Sequence, residues 1–141
     1  MKKLVLIILF TAFFSSCKKY PEGAAYSLLT KKTRLANSWR VDSYFENGTD
    51  KTTDFNAIFQ GYFLSTNKNG NYSLFYKLYG TLDWIESGVW KFSSDKKKVN
   101  LVATGSGNLS TWRILKLKNT ELWVIDESDN LIVKEYHFIQ S

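Results

Sequence analysis

The 141-residue chain holds one histidine, His137, and one cysteine, Cys17. A histidine works as a general base only with an orienting partner and a cleft that faces a substrate. Glu135 and Ile139 share the face of His137 in an extended segment, so a His137–Glu135 pair is available. The competing reading is a histidine at the surface or at a rim. No motif marks a nucleophilic serine. Carboxylates gather twice, as Glu46, Asp50 and Asp54 and as Asp126, Glu127 and Asp129. Oxygen ligands of this kind hold calcium in dedicated loops. Neither spacing matches such a loop, and solvated turns explain both groups. One cysteine leaves no intramolecular disulfide and no multi-cysteine zinc site. The residues therefore give catalysis little support, point to a protein that is not an enzyme, and call for no metal and no cofactor.

The aromatic residues are the remaining source of chemistry, at 16% of the chain. Trp39, Tyr72, Tyr76, Trp90, Trp123 and Tyr136 form the candidate ligand-binding set, and Trp112 adds to the surplus of rings. Small-molecule pockets are mostly apolar and aromatic, with a few placed polar groups. The alternative is that the same rings fill an interior, because aromatics pack core volume well. Trp39 and Trp90 are then plugs.

Cys17 closes a segment with its own pattern. Lys2-Lys3 is a basic start, residues 4–14 are an apolar run interrupted by Thr11 and Ala12, and Ser15-Ser16 are small residues before the cysteine. A basic start, about 7–15 apolar residues and small residues at the cut are the layout of a secretory signal. A membrane span needs about 20 apolar residues, and this run is shorter. The Phe14-Ser15-Ser16-Cys17 site resembles the lipobox of bacterial lipoproteins, in the looser form familiar in Bacteroidetes. The resemblance implies removal of residues 1–16 as a signal peptide, a diacylglycerol on the Cys17 thiol, and acylation of the new amine. Each buried methylene contributes about 0.8 kcal/mol, so several acyl chains moor a protein firmly. Residues 17–25 read as a lipidated tether and residues 26–141 as one domain, near the usual size of about 100–200 residues. Lys18-Lys19 stands where some surface-exported lipoproteins of that phylum carry acidic residues. By that resemblance the outer-membrane protein faces the periplasm, with the cell surface as the alternative.

Nineteen basic against 13 acidic side chains give a formal charge of +6, and two of those lysines depart with the signal. The rest are scattered apart from Lys18-Lys19, Lys31-Lys32 and Lys96 to Lys98. Nucleic-acid binding needs a concentrated basic face, so that partner is set aside.

The elements that must position these groups are mostly strands. Proline occurs once, at Pro21, and aromatic and β-branched residues are frequent, which favours uninterrupted sheet. The exception is a helix over 26–37, which Ser27 can cap and which carries Leu28, Leu29 and Leu35 on one stripe. Eight strands follow, at Ser38–Glu46, 58–67, 71–79, 85–93, 99–104, 111–118, 122–126 and 131–139. Asn67 to Gly70, Ser93 to Lys96 and Asn119-Thr120 read as hairpin turns, and 47–56 is the longest early connection.

Successive hairpins favour a meander, and eight antiparallel strands can close into an up-and-down barrel whose interior is filled or holds one small ligand. The expected fold is all-β, an eight-stranded antiparallel barrel with a short N-terminal helix; the alternative is a β-sandwich. Alternation puts Trp39, Val41 and Phe45 on one face, Trp90 and Phe92 on one, and Val99, Leu101 and Ala103 on one. Leu122 and Val124 oppose Trp123 and Ile125, and Tyr72, Leu74 and Tyr76 oppose Phe75 and Tyr79. Strands apolar on both faces need an outer cover, for which the helix stripe is the obvious candidate and a partner protein the second.

A short helix leading into Asn37-Ser38-Trp39-Arg40-Val41-Asp42-Ser43-Tyr44, then Gly88-Val89-Trp90-Lys91-Phe92 and Glu121-Leu122-Trp123-Val124-Ile125-Asp126, resembles the lipocalin-like lipoprotein domains of Bacteroidetes. The first strand keeps a tryptophan, Trp39, without the glycine two residues before it that lipocalins carry. The resemblance implies a non-enzymatic binding module of the cell envelope, for a small apolar or sugar-like ligand. The alternative is a structural or accessory subunit of an outer-membrane protein complex.

Overall fold

The computed structural model describes residues 28–141. The expected signal, the tether, Cys17 and Ser27 lie outside the described residues. The first element is shorter than expected. α1 (Lys31–Leu35) is capped by Thr30, whose Oγ1 accepts from Thr33 N at 3.1 Å. β1 (Ser38–Glu46), β2 (Thr49–Asp50), α2 (Thr52–Ile58), β3 (Phe59–Thr66), β4 (Asn71–Leu78) and β5 (Leu82–Phe92) follow. β6 (Lys98–Ala103), β7 (Leu109–Leu117), β8 (Glu121–Asp126) and β9 (Lys134–Gln140) complete the chain.

β1 and β3 to β9 run in chain order, each antiparallel to the next, and β9 returns to pair with β1 from Trp39↔Gln140 to Glu46↔Lys134. That closure makes a barrel rather than a sandwich and leaves no long free edge. β2 is an extra two-residue strand on the end of β1. The connection at 47–56 holds both β2 and the start of α2. Thr52, Thr53, Asp54 and Asn56 are poor helix formers, so α2 depends on tertiary contacts. Asp50 Oδ1 accepts from Thr52 N at 2.9 Å, and Phe55 is buried.

The interior is built from alternating side chains, as the pleat dictates. Trp39, Leu64, Tyr72, Trp90, Val99, Leu101, Trp112, Ile114, Leu122, Val124 and Phe138 belong to one core cluster. Register shifts in β1, β3 and β7, the last between Ile114 and Lys116, correct the simple alternation. The register of β1 shifts between Val41 and Ser43, so Tyr44 is buried and Phe45 turns outward, with its ring 5.0 Å from that of His137. Phe45 therefore does not share the face of Trp39. In β3 the register shifts between Gln60 and Phe63. Gly61, at φ +64°, takes the left-handed conformation that such a bulge needs.

The helix stripe does not cover the outer strand faces. Leu35 enters one end of the barrel, while Leu28 and Leu29 are exposed. The outer side of β8 is covered by its neighbours instead: Lys116 Nζ lies 3.3 Å from the Trp123 ring centroid, and the His137 ring stacks on Trp123 at 4.0 Å.

The open end of β7 is tied to β6 and to the β8–β9 turn through Glu127. Its carboxylate meets Lys98 Nζ at 2.5 Å and Arg113 Nε at 2.8 Å. The hydrogen bond from Lys98, helped by Arg113, holds the Glu127 carboxyl below its ordinary range against the opposing effect of burial. A depressed native pKa contributes stability that is present above the ordinary carboxylate range and lost as pH falls through the native value. Glu127→Gln is thus expected to cost about 1 kcal/mol at neutral pH. The gap to the parent protein should close as pH drops below the usual carboxylate range, followed by urea midpoints at a series of pH values. A gap unchanged at acid pH would rule out the ionic origin.

Candidate functional site

α1 and Trp39 close one end of the barrel. Trp39 is fully buried and its Nε1 donates to Leu35 O at 3.0 Å, and Thr66 Oγ1 donates to the same carbonyl. α2 crosses toward the other end, where Phe55 meets Tyr44 at 4.6 Å, Phe59 at 5.0 Å and Tyr62 at 5.3 Å between ring centroids. Beside Phe55 lies a cavity of about 250 Å³. Its apolar wall includes Phe59, Leu64, Leu74 and Leu101, and its polar wall includes Ser110, Glu86 and Asp126. Trp84, 46% exposed, stands at the rim. Phe55 and Phe59 also wall a second void of about 220 Å³, with Tyr44, Glu46, Lys51 and Asp54 around it.

Rings from five strands form a ladder along the cavity. Trp84 stacks on Tyr76 at 6.1 Å, Tyr76 on Tyr62 at 5.6 Å, Tyr62 on Tyr136 at 6.2 Å, and Tyr136 on Trp112 at 6.0 Å. These separations lie in the range where offset stacking is favourable. Tyr62 joins the ladder because the Gly61 bulge turns it inward. Tyr72 donates its hydroxyl to Glu86 Oε1 at 2.8 Å.

Burial pushes the hydroxyls of Tyr62, Tyr72, Tyr76 and Tyr136 above their ordinary range. The negative charge of Asp126 adds to this at Tyr62 and Tyr136, and that of Glu86 at Tyr62, Tyr72 and Tyr76. The phenols stay protonated at neutral pH and can donate. The Trp90 indole N–H is satisfied by Asn67 O at 3.1 Å. Trp112 Nε1 is buried with no hydrogen-bond partner, an arrangement that ordinarily costs about 1–3 kcal/mol.

The structure brings Tyr72, Tyr76 and Tyr136 of the candidate set to this cavity and leaves the other three elsewhere. Trp39 and Trp90 are buried plugs, each fixed through its indole N–H. Trp123 faces outward, under Lys116 and His137, so it is no part of the cavity wall. Sequence reasoning missed Tyr62, Trp84, Glu86 and Asp126 as wall residues. The alternation was available for three of them: Trp84 and Glu86 share the phase of Trp90, and Asp126 that of Val124.

His137 does pair with Glu135, Nε2 to Oε1 at 2.6 Å, but on the outer wall, away from the cavity lining. The acidic groups are used locally. Glu46 accepts from Tyr44 Oη, Asp54 pairs with Lys51, and Asp129 with Lys134. Among the described residues no group of three potential ligands could hold a metal ion.

A closed eight-stranded antiparallel barrel with one extra strand and two short helices is the lipocalin-like architecture. A lipocalin-like protein from Bacteroides uniformis superposes with a TM-score of 0.59 at 14% identity, covering 77% of this chain and 99% of that one. An uncharacterized protein from Bacteroides eggerthii superposes with a TM-score of 0.55 at 10% identity, covering 75% of this chain and 98% of that one. No protein-family model matches the chain, and no curated protein matches it.

Proposed function

We propose that the protein is a non-enzymatic binding module of the cell envelope, anchored to the outer membrane by lipid on Cys17, facing the periplasm, and holding one small molecule in its barrel. The observation that carries the reading is the aromatic-walled cavity of about 250 Å³ between the plugged end and α2. A buried water occupies about 30 Å³ of liquid volume, so the space suits a ligand of roughly eight non-hydrogen atoms. Fold likeness supports the reading only in general terms, since one fold hosts many tasks. Native mass spectrometry of protein extracted from its own host tests it. A bound small mass is the expected result, and uniformly empty protein counts against it. Cys17→Ala should release the protein from the membrane fraction, and retention there would remove the anchor.

A second reading, an accessory subunit of an envelope complex, is favoured by one surface. Phe63, Phe75 and Ile85 lie in register across the outer faces of β3 to β5, and Val89, Val102 and Leu109 across β5 to β7. Ile85, Val89, Val102 and Leu109 are exposed, and contiguous exposed apolar area marks interaction sites. Crosslinking in intact cells separates the readings: recovery of monomer alone counts against the subunit.

A further inference from the structure

The cavity wall is chemically one-sided. Among the described residues its ionisable groups other than tyrosine are two carboxylates, Glu86 and Asp126, and no lysine, arginine or histidine lines it. The Glu86 carboxylate is held by the Tyr72 hydroxyl at 2.8 Å. Asp126 Oδ1 accepts from Ser128 N at 2.8 Å. Both carboxylates act on Tyr62, Glu86 also on Tyr72 and Tyr76, and Asp126 also on Tyr136, so each of these wall tyrosines feels a negative charge. An aromatic face carries its own negative quadrupole and attracts a cation within about 6 Å of the ring centroid. Carboxylates and ring faces thus favour the same kind of ligand. An anion, such as a fatty acid carboxylate, would sit against like charge with no cationic side chain among the described wall residues to pair with, which is unfavourable.

The wall also holds a donor without an acceptor. Trp112 is 6% exposed, it borders the cavity, and its Nε1 has no partner. Buried N–H groups are almost always satisfied. A ligand oxygen would supply the missing acceptor, since the rings stacked on the indole, Tyr136 and Phe138, offer it aromatic carbon. Among the described residues no third histidine, cysteine or carboxylate joins Glu86 and Asp126 in a group that could hold a metal ion.

We infer that the cavity selects small organic ammonium ions that also carry a neutral oxygen, of the amino-alcohol class, with Glu86 and Asp126 opposite the charge and the indole N–H of Trp112 toward the oxygen. The inference rests on the cavity-binding reading above and narrows it to one ligand chemistry.

Choline is a suitable probe. It is within the size the cavity allows, and it has a neutral isostere of the same shape, in which a tert-butyl group replaces the trimethylammonium. The test titrates the protein with choline, with the neutral isostere and with tert-butylacetate as the anionic counterpart, reading the indole N–H signals by NMR. Choline should bind at least tenfold more tightly than the isostere, and the anion should not bind. The Trp112 indole signal should move on choline binding. Glu86→Gln and Asp126→Asn should each bring the choline-to-isostere ratio toward one, and either variant alone serves if the other does not fold. Equal binding of choline and the isostere would overturn the ammonium inference and leave a small-molecule cavity standing. No binding of any probe at tens of millimolar would remove the cavity reading, and the inference with it.

Discussion

Trp39→Ala is expected to cost about 3–5 kcal/mol, the usual range for removing a fully buried tryptophan. Trp39 has no exposed surface, and it joins three parts of the fold. Its strand pairs on one side with β3 through Trp39↔Leu64 and on the other with β9 through Trp39↔Gln140. Its indole N–H holds Leu35 O and so fixes the end of α1. A five-residue helix has almost no stability of its own, so α1 should detach when the ring is gone. The whole domain has about 5–15 kcal/mol at its disposal, and the variant is left marginal. Urea unfolding followed by circular dichroism should show a much lower midpoint with the same slope, the signature of lost stability rather than altered compactness. Amide exchange at Arg34 and Ala36, whose N–H groups bond to Thr30 O and Lys32 O, should accelerate beyond the global change. Trp39→Phe retains most of the volume and loses the hydrogen bond, at an expected cost of about 0.5–1.5 kcal/mol for that bond. A loss below about 1 kcal/mol for the alanine variant would mean that the plug does not hold the barrel end.

The strands were legible because turn chemistry punctuates them. Asn67 to Gly70 closes a hairpin, with Gly70 N bonded to Asn67 O at 3.1 Å, and β1 has the expected bounds. Inward and outward faces were legible wherever the ladder is regular, as for Val99, Leu101 and Ala103 in β6. They failed at Phe45 because a bulge adds one residue, and a shift of one residue reverses every later side chain. α2 was invisible because most of its residues prefer other conformations and tertiary contacts, chiefly buried Phe55 in the barrel mouth, hold them helical. The cavity was half legible. Tyr72, Tyr76 and Tyr136 follow from aromatic content and alternation, but a high ring count does not distinguish a void from a plug. That distinction depends on how tilted strands bring distant positions to one height, which also decides that Glu86 and Asp126 share a wall. Trp123 shows the limit from the other side. Its strand is apolar on both faces, and nothing local says that Lys116 and His137 cover the outer one.

Gly88→Ala should be the most damaging small change in the sheet. A Cβ built on Gly88 would lie 2.0 Å from Val102 O and 2.8 Å from Tyr72 Cε1. Glycine inside a strand marks a site where another group approaches too closely for a side chain. The first clash is with backbone in the next strand, where Gly88 pairs with Ala103 and Val89 with Val102. A flexible side chain could turn away, but Val102 O can retreat only by opening the β5–β6 ladder. Overpacking a core costs about 1–3 kcal/mol, and a backbone clash belongs at the upper end, so about 3 kcal/mol is expected. The second clash reaches the cavity. Tyr72 is the register partner of Gly88, and its ring lies over the glycine while its hydroxyl reaches back to Glu86. Displacing that ring frees the Glu86 carboxylate and reshapes the wall, so loss of any cavity ligand should accompany the loss of stability. Ser87→Ala, at the exposed neighbour, should stay within about 0.5 kcal/mol and leave binding intact. Thermal melts and ligand titrations of the two variants side by side provide the check. A Gly88→Ala protein as stable as Ser87→Ala would mean that β5 and β6 are not held at this separation, and that the ring of Tyr72 is positioned by something other than the glycine beneath it.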